Sequence, residues 1–277
     1  MKVKFVNVRE ALTPSGLPDV DWAFNPYVGC AHACVYCYGR CYTRDKEVAG
    51  RWGEVVAVKS NVIGLLKREV RRKRGVVGVG TVTDPYQPLE AAHGLTREGL
   101  RVLIGGGLEV SLQTKSDLVL RDLDLLLEAP ERVDVGVTVT TLDEGLAGLL
   151  EPNAPSPKAR VRALERLSGS GVRTWVFLGP IVPGYNDDLA SIRAVVEMAA
   201  STGSALYYDK LRVKRFMLAP AHPLREAAER ARSYRWGELF RRIEDLCRSM
   251  GVKCALGLDY GRSREVREGS ARLDSFL

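Results

Sequence analysis

Residues 25–38 read N-P-Y-V-G-C-A-H-A-C-V-Y-C-Y and place Cys30, Cys34 and Cys37 at x3 and x2 spacing on one short segment. Thiolate sulfur is a soft donor that suits zinc or iron–sulfur iron, so three thiolates on one loop can face a common centre. A structural zinc site wants four ligands, and Cys41 or His32 could supply the fourth. A two-cluster ferredoxin would use x2, x2, x3 spacing with a second matching run, which the sequence lacks. Three cysteines without an obligatory fourth leave one iron of a [4Fe–4S] cube open to another ligand. On a helix, Cys41 would sit one turn beyond Cys37 on the same face. It reads either as a small packed thiol or as a ligand or hydrogen donor, and His32 as a supporting or solvent-facing group.

The elements that must hold these thiols are legible from residue 51 onward, where short β-branched runs alternate with amphipathic stretches. Strands are expected at 55–58, 76–82, 108–113, 133–140, 172–178 and 205–208, mostly as continuous apolar runs suited to a sheet buried on both faces. Helices are expected at 62–73, 97–103, 117–127, 158–168 and 189–200. Their start signals are Ser116 before Asp117, Ser156 with Pro157, and Asn186 before two aspartates. Such alternation over about 180 residues implies an α/β fold with a parallel sheet, closed into a barrel or left open. Sites in these folds lie at the carboxyl ends of the strands. Residues 30–41, 83–90, 114–115, 138–141 and 180–186 all occupy such positions. From His222 and Pro223 the texture changes to an Arg-rich helical stretch, followed by one more strand, V-K-C-A-L-G-L.

With Tyr36 directly before its last cysteine, the cysteine segment resembles the radical S-adenosylmethionine (SAM) superfamily. The resemblance implies a [4Fe–4S] cluster on Cys30, Cys34 and Cys37 whose open iron is chelated by SAM. It also implies reductive cleavage to a 5′-deoxyadenosyl radical that abstracts hydrogen from a substrate, with a reductant such as ferredoxin or flavodoxin as partner. The stretch G-T-V-T-D-P-Y-Q-P-L-E at 80–90 narrows it to the family typified by spore photoproduct lyase. Q-T-K-S-D (113–117), V-T-V-T-T-L-D-E (137–144), E-P-N-A-P-S-P-K-A-R (151–160) and P-I-V-P-G-Y-N-D (180–187) continue it across roughly residues 20–200. The implied fold is a partial (βα)6 TIM-type barrel at 21–209, after an N-terminal strand or extension at 1–20 and before a C-terminal helix–strand cap at 210–277.

SAM brings a carboxylate, a ribose, an adenine and a sulfonium, so its site needs a cation, hydroxyls and a flat apolar wall. Lys115 and Arg160 are the candidate cations, each also readable as an ordinary charge pair or solvated group. Thr83, Thr138 and Thr140 supply hydroxyls, and Asp84 and Gln87 belong to the implied SAM-binding turn. Ile181, Val182 and Pro183 offer the adenine wall or a plain strand end, with Tyr36 and Tyr38 as its rim. Photoproduct lyases carry a hydrogen-returning cysteine just ahead of that turn, where this chain has Thr81. An alcohol O–H bond is too strong for the role, so Cys41 or Tyr86 stands in as the candidate catalytic residue.

With 277 residues, 45% hydrophobic, and 41 Lys+Arg against 34 Asp+Glu, the chain has material for a large core and only a mild +7 charge. No apolar run approaches the ~20 residues of a membrane span and the first residues lack a signal peptide, so a soluble, cytoplasmic protein with no membrane partner is expected. Residues 67–74 hold six cations and one acid, and the C-terminal stretch mixes arginines with Tyr234 and Trp236. Both read as solvated, paired faces or as nucleic-acid contacts. Cys247 and Cys254 read as two buried structural thiols rather than a second metal site. His93 and His222 read as turn residues, His93 being the better functional candidate. The substrate that the family resemblance and the basic balance together imply is a nucleic-acid base, a DNA lesion or an RNA nucleotide. The alternatives are a radical SAM enzyme acting on a peptide or small molecule, and a zinc-stabilised, non-catalytic nucleic-acid-binding protein.

Overall fold

The computed structural model describes residues 1–257. Residues 258–277, which include the end of the expected cap and the last residue of the expected 252–258 strand, lie outside the described residues. The chain opens with β1 (Lys2–Val6), β2 (Leu12–Pro14), β3 (Trp22–Phe24) and β4 (Tyr27–Val28), and the cysteine loop follows directly. After it come α1 (Lys46–Gly50), β5 (Val55–Lys59), α2 (Val62–Glu69), β6 (Val76–Val79), α3 (Glu90–His93), α4 (Leu95–Gly105) and β7 (Glu109–Thr114). Then follow α5 (Leu123–Leu126), β8 (Val133–Thr138), α6 (Glu144–Leu150), α7 (Pro157–Gly169), β9 (Arg173–Ile181), α8 (Leu189–Ser201) and β10 (Ala205–Lys210). Two further helices, α9 (Arg225–Ala231) and α10 (Trp236–Ser249), lead to β11 (Cys254–Leu256).

The main sheet runs β11-β10-β9-β8-β7-β6-β3-β2, parallel throughout except for the antiparallel β2–β3 edge. From β3 to β10 the spatial order of its strands is their chain order, as in a barrel; a doubly wound sheet would reverse direction. Among the described residues no ladder joins β2 to β11, so the barrel is partial. The 55–58 run forms its strand outside this sheet: β5 pairs with β1 and β4 in a separate three-stranded sheet. The barrel instead begins at β3, whose three residues are too few for any periodicity to register. Within residues 1–20, β1 pairs along β5 and β2 along β3.

Alternation explains why the strands are nearly continuous in apolar character yet carry polar groups. On β7, Val110 and Leu112 are fully buried toward the helices, where Leu100, Leu103, Leu164 and Leu167 meet them in one core. Each such side chain contributes about 1.5–3 kcal/mol by burial. Ser111 and Gln113 alternate to the other face and bond across it, Ser111 Oγ to Asp134 Oδ1 at 2.7 Å and Gln113 Nε2 to Thr138 Oγ1 at 3.1 Å.

Several helix ends depart from the sequence pattern for identifiable reasons. The expected 62–73 helix ends at Glu69, whose carboxylate accepts from the Ala11 and Leu12 amides at 2.8 Å, and Gly75 then turns the chain at φ 102°. The expected 117–127 helix divides into a 3-10 turn at Asp117–Asp122 and α5, with the Asp122 carboxylate held by Arg97 and Arg121. Ser156 caps α7 with Pro157 inside its first turn, whereas α8 is capped by Asp188 and not Asn186. Cys247 and Cys254 are not separate thiols: the turn after α10 brings their Cα atoms to 6.2 Å, within bridging range, and they form a disulfide.

Gly99 of α4 lies against the Phe24 ring of β3, where a Cβ would come within 2.4 Å of ring carbon. Gly64 of α2 has open space around it. Gly99→Ala is therefore expected to destabilise by about 1–3 kcal/mol through overpacking, and Gly64→Ala to stabilise by about 0.5–1 kcal/mol through helix propensity. Urea unfolding of the two variants beside the parent checks the opposite signs; equal shifts would contradict the packing described.

Candidate active site

The cysteine loop is fixed from several sides. Gly29 O accepts from Thr83 Oγ1 at 2.5 Å and from Gln87 Nε2 at 3.2 Å, while Gln87 Oε1 accepts from the Ala31 amide at 2.9 Å. Asn153 Nδ2 donates to Ala31 O at 3.0 Å, the Asn153 amide to His32 O at 3.2 Å, and the Val35 amide to Leu150 O at 3.0 Å. Within the loop the Ala33 and Cys37 amides donate to Cys30 O and Cys34 O at 3.3 and 3.1 Å, respectively. Ala33 adopts a left-handed conformation at φ 57°, which costs about 1–2 kcal/mol for a non-glycine residue and is tolerated because these bonds determine the path.

The loop presents Cys30 and Cys34 buried and Cys37 half-buried, all as free thiols, whereas Cys41 ends the 3-10 turn Tyr38–Cys41 exposed. Burial raises the Cys34 thiol to about 11 and the Cys37 thiol to about 12, and pushes Cys30 up as well. Uncharged thiols thus suit the pocket until a metal displaces their protons. Zinc would draw its donors to about 2.3 Å of one point. Among the described residues no three His, Cys, Asp or Glu side chains are grouped for a single ion. Three thiols attached at different corners of an iron–sulfur cube have no need to converge so tightly.

Beside the loop lies a buried charge group. Glu151, its side chain fully covered, pairs with Arg160 and accepts from the Tyr36 hydroxyl; Thr140 Oγ1 donates to it at 2.7 Å. Lys115 Nζ stands 4.0 Å from Glu151 and 5.7 Å from the centre of the Tyr36 ring. Burial alone would raise the Glu151 carboxyl, but Arg160 and Lys115, aided by Thr140 and Tyr36, hold it below the usual carboxylate range. Within this group one carboxylate faces two cations, and among the described residues buried Arg160 Nη2 has no hydrogen-bond partner. The group therefore suits an incoming carboxylate.

Asp84 ties this region to the loop. Its oxygens accept from Thr114 Oγ1 at 2.7 Å, the Tyr86 amide at 2.9 Å and the Lys115 amide at 2.8 Å, and Oδ2 lies 3.3 Å from His32 Nδ1. Burial would raise Asp84, yet His32 and these donors lower it to about 2. His32 is wholly enclosed, so it is neither solvent-facing nor a chain-surface group.

The remaining sequence candidates divide. Thr138 faces Gln113 inside the barrel, and Pro183 is buried beside Val182, which packs with Cys34 and Tyr36. Tyr38 is exposed and donates to Thr81 O at 2.7 Å. Ile181 instead joins the main apolar core. Tyr86 is likewise turned away: its hydroxyl donates to Asp122 at 2.9 Å within a separate network of Glu90, Arg97 and Arg121. His222 caps a turn through Nδ1 to the Leu224 amide at 3.1 Å, and His93 meets Phe5 edge-on. Sequence reasoning did not single out Glu151 itself, although it opens the 151–160 motif. Asn186, expected as a helix start signal, instead braces the site: its Nδ2 donates to Thr140 O at 2.7 Å while Oδ1 accepts from the Val182 amide at 2.6 Å.

The profile of the Radical SAM superfamily matches residues 24–196. An uncharacterised protein of Methanocaldococcus jannaschii is 32% identical over 209 residues, covering 76% of this chain and 77% of its own length. Among solved structures, a cysteine-to-serine variant of spore photoproduct lyase superposes with a TM-score of 0.66 at 13% identity, covering 92% of this chain and 80% of that one. Spore photoproduct lyase complexed with dinucleoside spore photoproduct gives 0.64 at 15% identity, with 92% and 82% covered. At such identities the likeness is one of fold.

Glu151→Ala is expected to leave Arg160 and Lys115 buried without their counter-charge and to cost about 3–5 kcal/mol of unfolding free energy. Chemical denaturation monitored by circular dichroism checks this. A loss below about 1 kcal/mol would mean the group is solvated rather than enclosed.

Proposed function

Because the chain belongs to the radical SAM superfamily, we propose that it is a radical SAM enzyme acting on a nucleic-acid base, with Cys30, Cys34 and Cys37 as its cluster ligands. Membership brings the superfamily's cofactors, a [4Fe–4S] cluster and SAM. When bound, the reduced cluster and SAM together supply a 5′-deoxyadenosyl radical that removes a hydrogen atom from the substrate.

The carrying observation is the adjacency of three free, largely buried thiols to a buried cationic surplus at the carboxyl ends of the barrel strands. The thiols hold iron. Lys115 and Arg160 take the SAM carboxylate, with Arg160 held against Thr138 O at 3.3 Å and Pro155 O at 2.8 Å so that its free Nη2 is oriented in advance. Thr83, Asp84 and Gln87 brace the cysteine loop at the edge of the SAM site. Val182 and Pro183, with Tyr36, provide the apolar wall for adenine. Cys41, an exposed thiol one short turn beyond Cys37, is the candidate to return a hydrogen atom.

The nucleic-acid assignment is supported by the fold shared with a lyase complexed with a dinucleoside photoproduct, and by the excess of cations. Superfamily enzymes generally take electrons from a reductant, here a ferredoxin or flavodoxin. No helix among the described residues is long and apolar enough to cross a membrane.

Anaerobically reconstituted protein, reduced in the presence of SAM, is expected to form 5′-deoxyadenosine, and Cys34→Ala to form none and to retain little iron. Iron and sulfide analysis with chromatography of the nucleoside product checks both. Product formation unchanged by Cys34→Ala would end the assignment, and product formation indifferent to added oligonucleotide would end the nucleic-acid part of it.

A further inference from the structure

Tyr38 and Tyr42 are among the few large apolar side chains exposed on the described surface, at 44% and 62% of their area. They flank the 3-10 turn that leaves the last cluster cysteine, and their rings meet edge to face at 5.8 Å. A second 3-10 turn, Arg215–Leu218, lies against the first through two cation–ring contacts. Arg40 sits 4.4 Å from the centre of the Phe216 ring, and Lys214 Nζ lies 5.7 Å from the centre of Tyr42. Arg44, Lys214 and Arg215 have no carboxylate partner among the described residues. The nearby acids are already engaged: Asp45 and Glu47 with Lys4, and Asp209 with Arg212.

We propose that Tyr42, backed by Tyr38 and bordered by Arg44, Lys214 and Arg215, is a stacking platform for an unpaired base of a single-stranded or locally opened nucleic acid. An open tyrosine face accepts any base, and unneutralised cations beside it take the flanking phosphates. Among the described residues the Tyr42 hydroxyl has no hydrogen-bond partner that would commit its ring to the fold, and the ring is 62% exposed beside Tyr38 and Lys214. The Arg-rich α9–α10 segment does not offer the same surface. Its aromatics are committed to the fold, Tyr234 donating to Asp187 and Trp236 to Ala231 O, and three of its cations pair along the helices, Arg225 with Glu229, Arg235 with Glu238 and Arg248 with Asp245. An acidic electron-donor protein would use the cations but leave the paired tyrosine faces without a role. The platform rests on the nucleic-acid reading above and adds that the strand is unpaired where it meets the protein.

The test uses the reconstituted holoenzyme and fluorescence anisotropy of a short labelled single-stranded DNA, with the matching duplex as comparison. Wild type is expected to prefer the single strand. Tyr42→Ala is expected to weaken binding by about 5- to 150-fold, the range for loss of one base stack, and Tyr42→Trp to restore it. Lys214→Ala is expected to lower the slope of log affinity against log salt by about one unit. Iron and sulfide content checks that the variants still carry the cluster. Wild-type binding that Tyr42→Ala leaves intact overturns the platform alone, and absence of binding to either DNA overturns it together with the nucleic-acid reading. If Tyr42→Ala instead slows cluster reduction by flavodoxin and spares DNA binding, the surface is a reductant dock and the proposal fails.

Discussion

The Glu151 carboxylate is the interaction on which the site depends. Four separate stretches of chain end on it: the cysteine loop through Tyr36, the end of β8 through Thr140, the end of β7 through Lys115, and α7 through Arg160. A charge so thoroughly removed from water is tolerated only where several donors and an opposite charge surround it. That requirement fixes the relative positions of these four segments more tightly than apolar contact would, because carboxylate geometry is directional and packing is not. The residual positive charge left over after Glu151 is satisfied is what makes the place receptive to an anionic ligand.

A second set of bonds performs the same service for the thiols with neutral groups. Gln87 reads both faces of the loop entrance, accepting from Ala31 and donating to Gly29 O, and Asn153 reads the far side. Amide side chains suit this task, since each offers a donor and an acceptor and can close a loop without adding charge near the sulfurs. Asp84 is the exception, an anion beside His32, and it is stabilised by donors from three directions. Buried polar groups crowded around one loop are costly where they lack partners; the loop's own backbone is paired from β4, β6, β7 and the segment after α6, while the His32 ring has Asp84 as its charge partner and no hydrogen bond among the described residues.

The legible parts of the sequence were those set by covalent spacing or by length. Cys30, Cys34 and Cys37 stand out in the sequence because an x3/x2 arrangement keeps three thiols on one short loop, where the structure has two buried and one half-buried, and the long strands and helices stand out because their periods repeat. Trp22–Phe24 could not be read, because three residues carry no period, and the role of 55–58 as a strand of another sheet is decided by its partner and not by its own residues. Direction was equally invisible: Tyr86 and Ile181 stand within motifs that surround the site, yet strand and turn geometry points them into the helix layer. Glu151 is hard to see for another reason, since a lone glutamate in a proline-rich turn looks solvated until the fold encloses it. Asn186 looked like a helix cap because asparagine commonly is one, but Asp188 competes for that position and Asn186 is drawn to the ends of β8 and β9 instead.

The C-terminal segment explains why the loop keeps its form on its own. Cys34 and Tyr36 belong to a second apolar core with Leu150, Val182, Leu211, Met217 and Leu224, covered by Ala227, Ala228 and Ala231 of α9. Alanines on the covering face let that helix approach closely, and the same contacts that exclude water from the thiols also raise their affinity for protons. A small zinc module has no comparable core and is held together by its metal. In this chain the loop is shaped by protein contacts from two directions, the barrel strand ends below and the C-terminal helices above.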